Sequence, residues 1–485
     1  MTTAACAVHD ERDARLAHVC AAGRDAQTAG DDARAVAHFA EAVRLEPALL
    51  EVHLLLANVL LARHDRRAAR DALRHAFAVA QRPDAAAHQR LGAALLRASA
   101  PEEALACFDA ATAARPGAAA AHAARAAALR ALCRIDEAWH AAARALRLAP
   151  SDPAVLATAG HVALERGRLD DADALLARSL ALRPAHGTTH THRAAVRGLR
   201  GDLAGALADL EGRERPAPRT RATPWRGEPL RGASIVCTAD QGAGDRFQFV
   251  RYLPLLRTRG AGRVVVEAEP SIVPLLLANG IDAVPRGDVP PTDRHVPLTS
   301  LPHVLGLQGD AITGDGTAYL HAGTRRADRP SLPARDGRPR VGLTWRGNPD
   351  FLNDRKRSLP DDAVRALVAA VPTVQWVALQ QGDGAELAVP GVERLDGAPA
   401  DWQVTAQHLG ELDALVTIDT GIAHLAGALG VPVHVLLPHV PDWRWGRDGD
   451  RTPWYASMRL HRQARVGDWD SAITRASVAL LQRRS

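Results

Sequence analysis

Prolines at positions 47, 83, 116, 150 and 184 recur with spacings of 36, 33, 34 and 34 residues. That period constrains the chain more than any other feature. It is too long for a heptad and too regular for a set of unrelated segments, so one small supersecondary unit must be copied along the chain. A proline cannot extend a helix, and each one marks where a unit's last helix stops.

The spacing inside the units agrees. From Leu16 to Pro47 the small and large positions fall at Gly23, Gly30, Ala35, Phe39 and Ala42. From Ala85 to Pro116 they fall at Leu91, Gly92, Ala104, Phe108 and Ala111, and from Pro153 to Pro184 at Gly160, Gly167, Ala172 and Leu176. Small residues let the two helices of a unit approach, and large ones fill the space between units. This is the tetratricopeptide signature, and it predicts an α-solenoid over residues 1–211 with about six repeats from Arg15 to Glu211. The last, Gly187 to Glu211, lacks the terminal proline and reads as a cap. Ala118 to Ala131 is so rich in alanine that its helix should form with thin packing. Such arrays use a concave groove to hold a protein or peptide. Here His53, Asn58, His88, Arg90, His122, Arg125, His190 and Arg193 are expected to line it. An acidic or polar partner suits that lining, and a solvated surface explains it equally.

After the repeats the pattern changes. Residues 212–232 are rich in Pro, Gly and Arg and read as a linker anchored by Trp225. Ser234 to Thr238 is a strand, Ala239 to Arg246 a polar glycine-bearing turn, and Phe247 to Leu256 a helix kinked at Pro254. Val264 to Glu267 and His295 to Pro297 read as further strands. These fill a short first α/β half, residues 233–332. A second Pro/Arg-rich stretch, Thr324 to Arg340, leads into the second half, residues 333–485, with strands at Val341 to Trp345 and Val374 to Leu379. The most informative stretch there is Leu412 to Pro438. Leu412 to Ile418 is an apolar strand. Asp419, Thr420 and Gly421 break it, and Ile422, Leu425, Ala426 and Leu429 then share one helical face. Gly430 and Pro432 stop the helix, and Val433 to Leu437 is another strand. Strand, turn, helix and strand in that order build a parallel, doubly wound sheet.

Ligands of such sheets bind where a strand's C-terminal edge opens into a helix. The N–H groups of Thr420, Gly421 and Ile422 would face an anion there, and Gly421 would let a diphosphate come close. Asp419 suits a sugar or ribose hydroxyl better than a phosphate. His424, one turn on, would face the same pocket or lie in the core. The same turn is also an ordinary N-cap.

DTGIAHLAGALGVPV, Asp419 to Val433, resembles the donor-site signature of family 9 glycosyltransferases, the heptosyltransferase-like group of the GT-B fold. PDWRWGRDGDRTPWY, Pro441 to Tyr455, resembles bacterial proteins that join tetratricopeptide repeats to such a domain. GAGDRFQFVRYLPLL, Gly242 to Leu256, resembles the family's first loop, with Ala243 in place of a leucine and Arg246 where relatives carry a small hydroxyl residue. Arg346 to Ser358, RGNPDFLNDRKRS, resembles a loop that holds the leaving diphosphate. The resemblance covers roughly the C-terminal half. It implies a GT-B-like pair of Rossmann-type halves, the first the acceptor side and the second the nucleotide-sugar donor side.

It also implies roles. Asp245 takes the place of the general base, a carboxylate that accepts the proton of an attacking hydroxyl; capping its own helix is the alternative. Arg355 and Arg357 would clamp the diphosphate, since a guanidinium gives two parallel hydrogen bonds; which residue of Arg355 to Arg357 corresponds stays open. Asp419, Thr420, Gly421 and His424 would shape the donor site. Gln241, Gly242, Gly244 and Asn348 would line a substrate loop, and Gln380 to Gly382 the nucleotide pocket. Trp443, Trp445, Trp454 and Tyr455 are expected to seal the halves. Asp448 and Asp450 sit in a turn rather than after a strand, which fits metal-independent chemistry with no cofactor beyond the nucleotide-sugar substrate.

Composition excludes other classes. The formal net charge is +5, the basic residues are arginines except Lys356, and no Lys/Arg block forms a nucleic-acid arm. The 5 cysteines are scattered without a CxxC pair, which argues for a reducing compartment. No stretch approaches the ~20 apolar residues of a membrane span, and the N-terminus does not read as a signal peptide. The expectation is therefore a cytoplasmic bacterial glycosyltransferase acting on a protein recruited by the repeats, with a surface protein such as flagellin suggested by the resemblance. The alternatives are a non-catalytic scaffold with a degenerate glycosyltransferase-like domain, and a sugar-nucleotide epimerase or hydrolase on the same fold.

Overall fold

A computed structural model describes residues 2–79, 84–215, 217–218, 220–327, 329–349, 351, 353–382, 384–395 and 397–482, with side chains from Glu11 onward. Pro83, one of the period-setting prolines, lies outside the described residues, as do Pro216 and Arg219 of the first linker, Asp328 of the second, and Asp350 and Leu352. The chain divides into two compact units, Met1–Arg168 with Asp350–Leu352, and Leu169–Pro349 with Asn353–Ser485.

The first unit holds α1 (Thr2–Thr28), α2 (Asp32–Leu45), α3 (Leu50–Ala62), α4 (Arg66–Val79), α5 (Ala85–Arg97), α6 (Pro101–Ala114), α7 (Ala119–Ala131), α8 (Ile135–Leu148) and α9 (Pro153–Glu165). α1 starts well before Arg15, where the repeat phase begins. Asp31, Asp84 and Asp152 each accept a backbone N–H of the next helix's first turn, at 3.1, 2.7 and 2.8 Å. That satisfies donors that the helix cannot. Phe39 and Phe108 are completely buried. They lie so close to Gly23 and Gly92 that a Cβ on either glycine would come 2.6 or 2.8 Å from a ring carbon. The small–large pairing read from the sequence is thus a steric fact. α7 buries mostly alanines, among them Ala121, Ala126 and Ala128, and the facing helix α8 buries Ala138, Ala141, Ala142 and Ala145.

The expected groove residues behave differently from the reading above. His53 is 1 % exposed, and its Nε2 donates to the carbonyl of Pro47 at 2.8 Å. His122 does the same to Pro116 at 3.0 Å, and in the second unit His190 to Pro184 at 2.8 Å. A carbonyl only accepts, so each ring carries its proton on Nε2. These histidines tie the turn between repeats to the following helix. The arginines are also engaged: Arg90 pairs with Glu51 and Arg125 with Asp109. Asn58 accepts from Arg97, and Arg193 donates to Asp209. An acidic partner has no unspent arginine among these to meet. We expect His53→Ala to lower unfolding free energy by about 1–3 kcal/mol, because it removes a buried side chain together with its hydrogen bond to Pro47. Urea denaturation checks this, and an unchanged midpoint would return His53 to the groove.

The second unit opens with α10 (Leu169–Leu182), α11 (Gly187–Leu199) and α12 (Leu203–Leu210). Two parallel sheets follow. The first contains β1 (Thr223–Pro224), β2 (Ser234–Thr238), β3 (Arg263–Ala268), β4 (Ala283–Pro285) and β5 (Arg294–Pro297), in the order β1-β5-β2-β3-β4. β1 comes from the segment read as a linker and pairs parallel with β5. Trp225 beside it is 3 % exposed and anchors the segment, as expected. The helix after β2 starts at Ala243, earlier than the apolar pattern indicated. It breaks into Ala243–Phe249, a turn of 3-10 helix and Leu253–Thr258, with Pro254 in the first turn of the last piece.

The second sheet contains β6 (Arg340–Leu343), β7 (Gln375–Ala378), β8 (Val392–Arg394), β9 (Ala414–Ile418), β10 (Val433–Leu437) and β11 (Met458–Arg462), in the order β11-β10-β9-β6-β7-β8. β9 and β10 are buried at every residue, as central parallel strands are. Val341, Leu343, Trp345, Val416 and Ile418 share a core with Leu367 and Ile473, from helices Asp361–Ala370 and Trp469–Gln482. The chain leaves β6 in one direction to β7 and β8, then returns to β6's other side at β9. That reversal opens a crevice at the C-terminal edges of β6 and β9. In the first sheet the same reversal falls between β2 and β5.

The architecture is a helical repeat solenoid of tetratricopeptide type followed by a region of parallel sheets. No helix among the described residues is long and apolar enough to cross a membrane.

Candidate functional site

The turn after β9 and the loop after β2 meet. Helix Gly421–Ala428 begins at the C-terminal edge of β9. Helix Ala243–Phe249 begins after the edge of β2, and its first turn lies against it. A Cβ on Gly244 would come 2.7 Å from Cδ2 of His424, and one on Gly421 would come 3.5 Å from Ala243 Cβ and Gly244 N. Only glycine at 244 lets the two helix starts come this close. Phe247 and Trp402 meet edge to face behind them, ring centroids 4.9 Å apart.

Asp245 sits in this junction. Its Oδ2 accepts the N–H of Gly242 at 3.2 Å, so it does cap its own helix. Its Oδ1 accepts from Arg444. Burial pushes its carboxyl above the ordinary carboxylate range, with Arg444 and Arg246 pulling it back. Capping and availability to a ligand are not exclusive here, because the side chain keeps 17 % exposure.

Asp419 follows β9. Burial, together with the charge of Asp442, pushes its carboxyl up to about 6, and Arg357 opposes the shift. Arg357 donates to the backbone carbonyl of Asp419 at 2.8 Å and to Asp354 at 3.0 Å, which aims it across the crevice between β6 and β9. Arg357, read as a diphosphate clamp, thus reaches this turn, and Arg355 and Asn348 of the same loop are exposed. Thr420 Oγ1 donates to Ile418 O at 3.4 Å. Deeper in the crevice Thr344 and Thr417 share a hydrogen bond of 2.6 Å between their hydroxyls. Gln380 spends its amide on the loop itself, accepting from the N–H groups of Trp345 and Arg346 at 2.9 and 3.0 Å. Gln241 has an exposed side chain, and its carbonyl accepts from the buried Arg246 at 2.7 Å.

His424 is 6 % exposed. It stacks on Trp445 at 5.0 Å, and its Nδ1 lies 3.0 Å from the Tyr455 hydroxyl. Burial pushes its pKa down to about 3. A neutral ring wedged between Gly244, Trp445 and Tyr455 packs the junction. The Trp-rich loop therefore seals, as expected: Trp443, Trp454 and Tyr455 are at most 5 % exposed. Arg251 lies within 5.5 Å of the Tyr319, Trp454 and Tyr455 ring centroids.

Sequence reasoning missed Arg444 and Asp442, because the loop Pro441 to Tyr455 was read for its aromatics. The signal was present: an arginine between two tryptophans is buried, and a buried guanidinium requires carboxylates. It also missed Arg213. This guanidinium, from the segment after α12, binds Asp240 and Thr299. Arg215 reaches Ser300 Oγ at 3.0 Å. Asp240 follows β2, and Thr299 and Ser300 follow β5. The reversal crevice of the first sheet is thus filled by side chains of the chain itself.

The buried histidines set a pH dependence. Burial holds His461 near a pKa of about 4, beside His434 at 3.0 Å, and depresses His53, His295 and His408 as well. Unfolded histidine titrates near about 6.5, so the unfolded chain binds more protons as pH falls through that range. Their contribution is full above about pH 6.5 and is lost toward pH 4. Asp419, whose raised carboxyl holds a proton up to about 6, and Asp245, also raised, act in the opposite sense, but they are two groups against several. The urea midpoint should therefore be lower at pH 5 than at pH 7.5, and His461→Gln should flatten the slope. A higher midpoint at pH 5 would contradict this accounting.

The repeats are similar to a tetratricopeptide repeat protein from Parabacteroides merdae, 16 % identical over 41 % of this chain and 78 % of that one, TM-score 0.34. A thermophilic TPR protein of Thermus thermophilus is 22 % identical over 37 % of this chain and 98 % of that one, TM-score 0.30. Over a longer stretch the chain is similar to Protein FlbA of Caulobacter vibrioides, 25 % identical over 292 residues, which is 53 % of this chain and 48 % of the relative. The chain thus spans about half the length of the curated relative it matches. No family model matches it.

Proposed function

We propose that the chain is a glycosyltransferase of GT-B type that moves a sugar from a nucleotide-sugar donor to a protein held by the repeats. One observation carries this reading. The loop bearing Asp245 and the helix start bearing Gly421 come from different parallel sheets and meet at their C-terminal edges. A carboxylate, an arginine and a helix N-terminus then surround one junction. The positive helix end and Arg357 suit the diphosphate of a donor. Asp245, on the facing loop, suits the removal of a proton from an acceptor hydroxyl. Residues 333–485 would hold the donor and residues 233–332 the acceptor side. A nucleotide-sugar substrate fits a cytoplasmic protein, and a surface protein such as flagellin fits the acceptor role.

A thermal-shift panel of nucleoside diphosphates and nucleotide-sugars tests the donor. A ligand at 100 times its dissociation constant stabilises the folded state by ~2.7 kcal/mol. A shift selective for one nucleotide, followed by mass-spectrometric detection of sugar on a protein acceptor, is the expected outcome. No shift with any nucleotide would reject the reading.

Arg213 favours a second reading. A first sheet whose crevice is filled by its own chain suits a scaffold that binds partners through the repeats and transfers nothing. Binding of partners without any nucleotide shift would decide for it.

A further inference from the structure

Arg444, in the loop after β10, ties that loop to the helix that starts after β2. Its Nε donates to Gln248 Oε1 at 2.7 Å, one terminal nitrogen donates to Asp442 at 2.9 Å, and the other to Asp245. Its backbone N–H donates to Asp442 at 3.0 Å, which fixes the turn Trp443–Trp445. Nε and both terminal nitrogens are engaged, so the planar fork has little freedom to rotate. Its Cζ lies 4.6 Å from the Trp443 ring centroid. Trp443 in turn rests on α11, where a Cβ on Gly198 would come 2.7 Å from Trp443 Cβ. One line of contacts therefore runs from α11 through Trp443 and Arg444 to Asp245.

We propose that Arg444 is the positioning residue for Asp245, aiming its carboxylate into the junction, and that Trp443 seated on α11 holds Arg444 in place. The assignment of a purpose to this contact rests on reading Asp245 as the base. With Gly242 on one carboxylate oxygen and Arg444 on the other, Asp245 has a single orientation. Arg246, Asp442 and Asp240 also act on it. Arg444 stands first among the groups that keep it ionised against burial. Removing that charge should push the Asp245 carboxyl further up and leave less of it ionised at the pH where a base is needed.

The experiment reads Asp245 directly. Protein carrying 13C-carboxyl aspartate is titrated by NMR, and the Asp245 signal is the one absent from Asp245→Asn. In Arg444→Met its midpoint should lie about 1–3 pH units higher, the usual effect of losing an adjacent opposite charge. Arg444→Lys should stay closer to wild type. Gly198→Val, which displaces Trp443, should shift the midpoint in the same direction by less. An unmoved midpoint in Arg444→Met overturns the proposal, even in an active enzyme. Should Arg444→Met not fold, Arg444→Gln decides through the pH profile of transfer: an acidic limb displaced to higher pH at unchanged donor KM supports positioning, and an unmoved limb overturns it. A midpoint that moves in Arg444→Met, with wild type devoid of transferase activity, rejects the function above while leaving the Arg444 contact established.

Discussion

Asp245→Asn is expected to lower sugar transfer by about 10²–10⁴-fold, the usual contribution of a positioned general base. Asparagine keeps the shape of the side chain, but its single carbonyl oxygen can accept from only one of Gly242 and Arg444, so one of these two hydrogen bonds is lost while the packing of the junction is kept. It has no carboxylate to take the acceptor's proton. Nucleotide binding should remain within a few-fold of wild type, which a thermal-shift titration measures beside turnover. Asp245→Ala is a poorer test. It leaves Arg444, with 15 % side-chain exposure, facing a gap where its partner stood, and some lost activity would then be lost structure. Full transfer by the asparagine variant would leave Asp245 as a helix cap and nothing more.

Gly421→Asp should abolish nucleotide binding, by more than about 100-fold in Kd, or roughly 2.7 kcal/mol. Two effects add. A side chain at 421 would start 3.3 Å from the Trp402 ring and 3.5 Å from Ala243 and Gly244, where little space remains. Its charge would then occupy the helix end that is read as the phosphate position, beside the carboxyl of Asp419. Gly421→Ala separates the two effects. Its Cβ fits with shifts of tenths of an ångström, so the alanine variant should fold normally and bind only a few-fold more weakly. Equal loss in both variants would point to a broken loop contact, and unchanged binding in Gly421→Asp would place the nucleotide elsewhere.

What the sequence disclosed depended on how local the signal was. Ser234 to Thr238 and Val433 to Leu437 are the observed strands residue for residue, because their apolar runs and flanking turns define them within a few positions. β1, β4 and β8 escaped because each is two or three residues long at or near a sheet edge, and two of them carry a proline. β11 alternates Met458, Leu460 and Arg462 with Arg459 and His461, a pattern of charge that hides an edge strand. In the site, the turns after β2 and β9 were legible as strand-to-helix turns. That they touch was not, since no local pattern encodes contact between loops so far apart in the chain. The repeat histidines misled for the opposite reason. They were read as lining a groove, but His53, His122 and His190 each stand six residues after a repeat proline and bond its carbonyl.

The filled crevice of the first sheet bears on how such a chain can be cut and recombined. Arg213 and Arg215 follow directly on α12, yet the groups they bind, Asp240, Thr299 and Ser300, belong to the sheet. A sheet region severed at residue 212 and grafted to a foreign array would keep these arginines but lose α10, α11 and α12. The seat of Trp443 on Gly198 would go with them. The compact unit that holds the junction is therefore longer than the sheets and begins near Leu169, inside the run of repeats. A cut before Leu169 is expected to keep the seat of Trp443 on α11, and a cut at residue 212 to lose it.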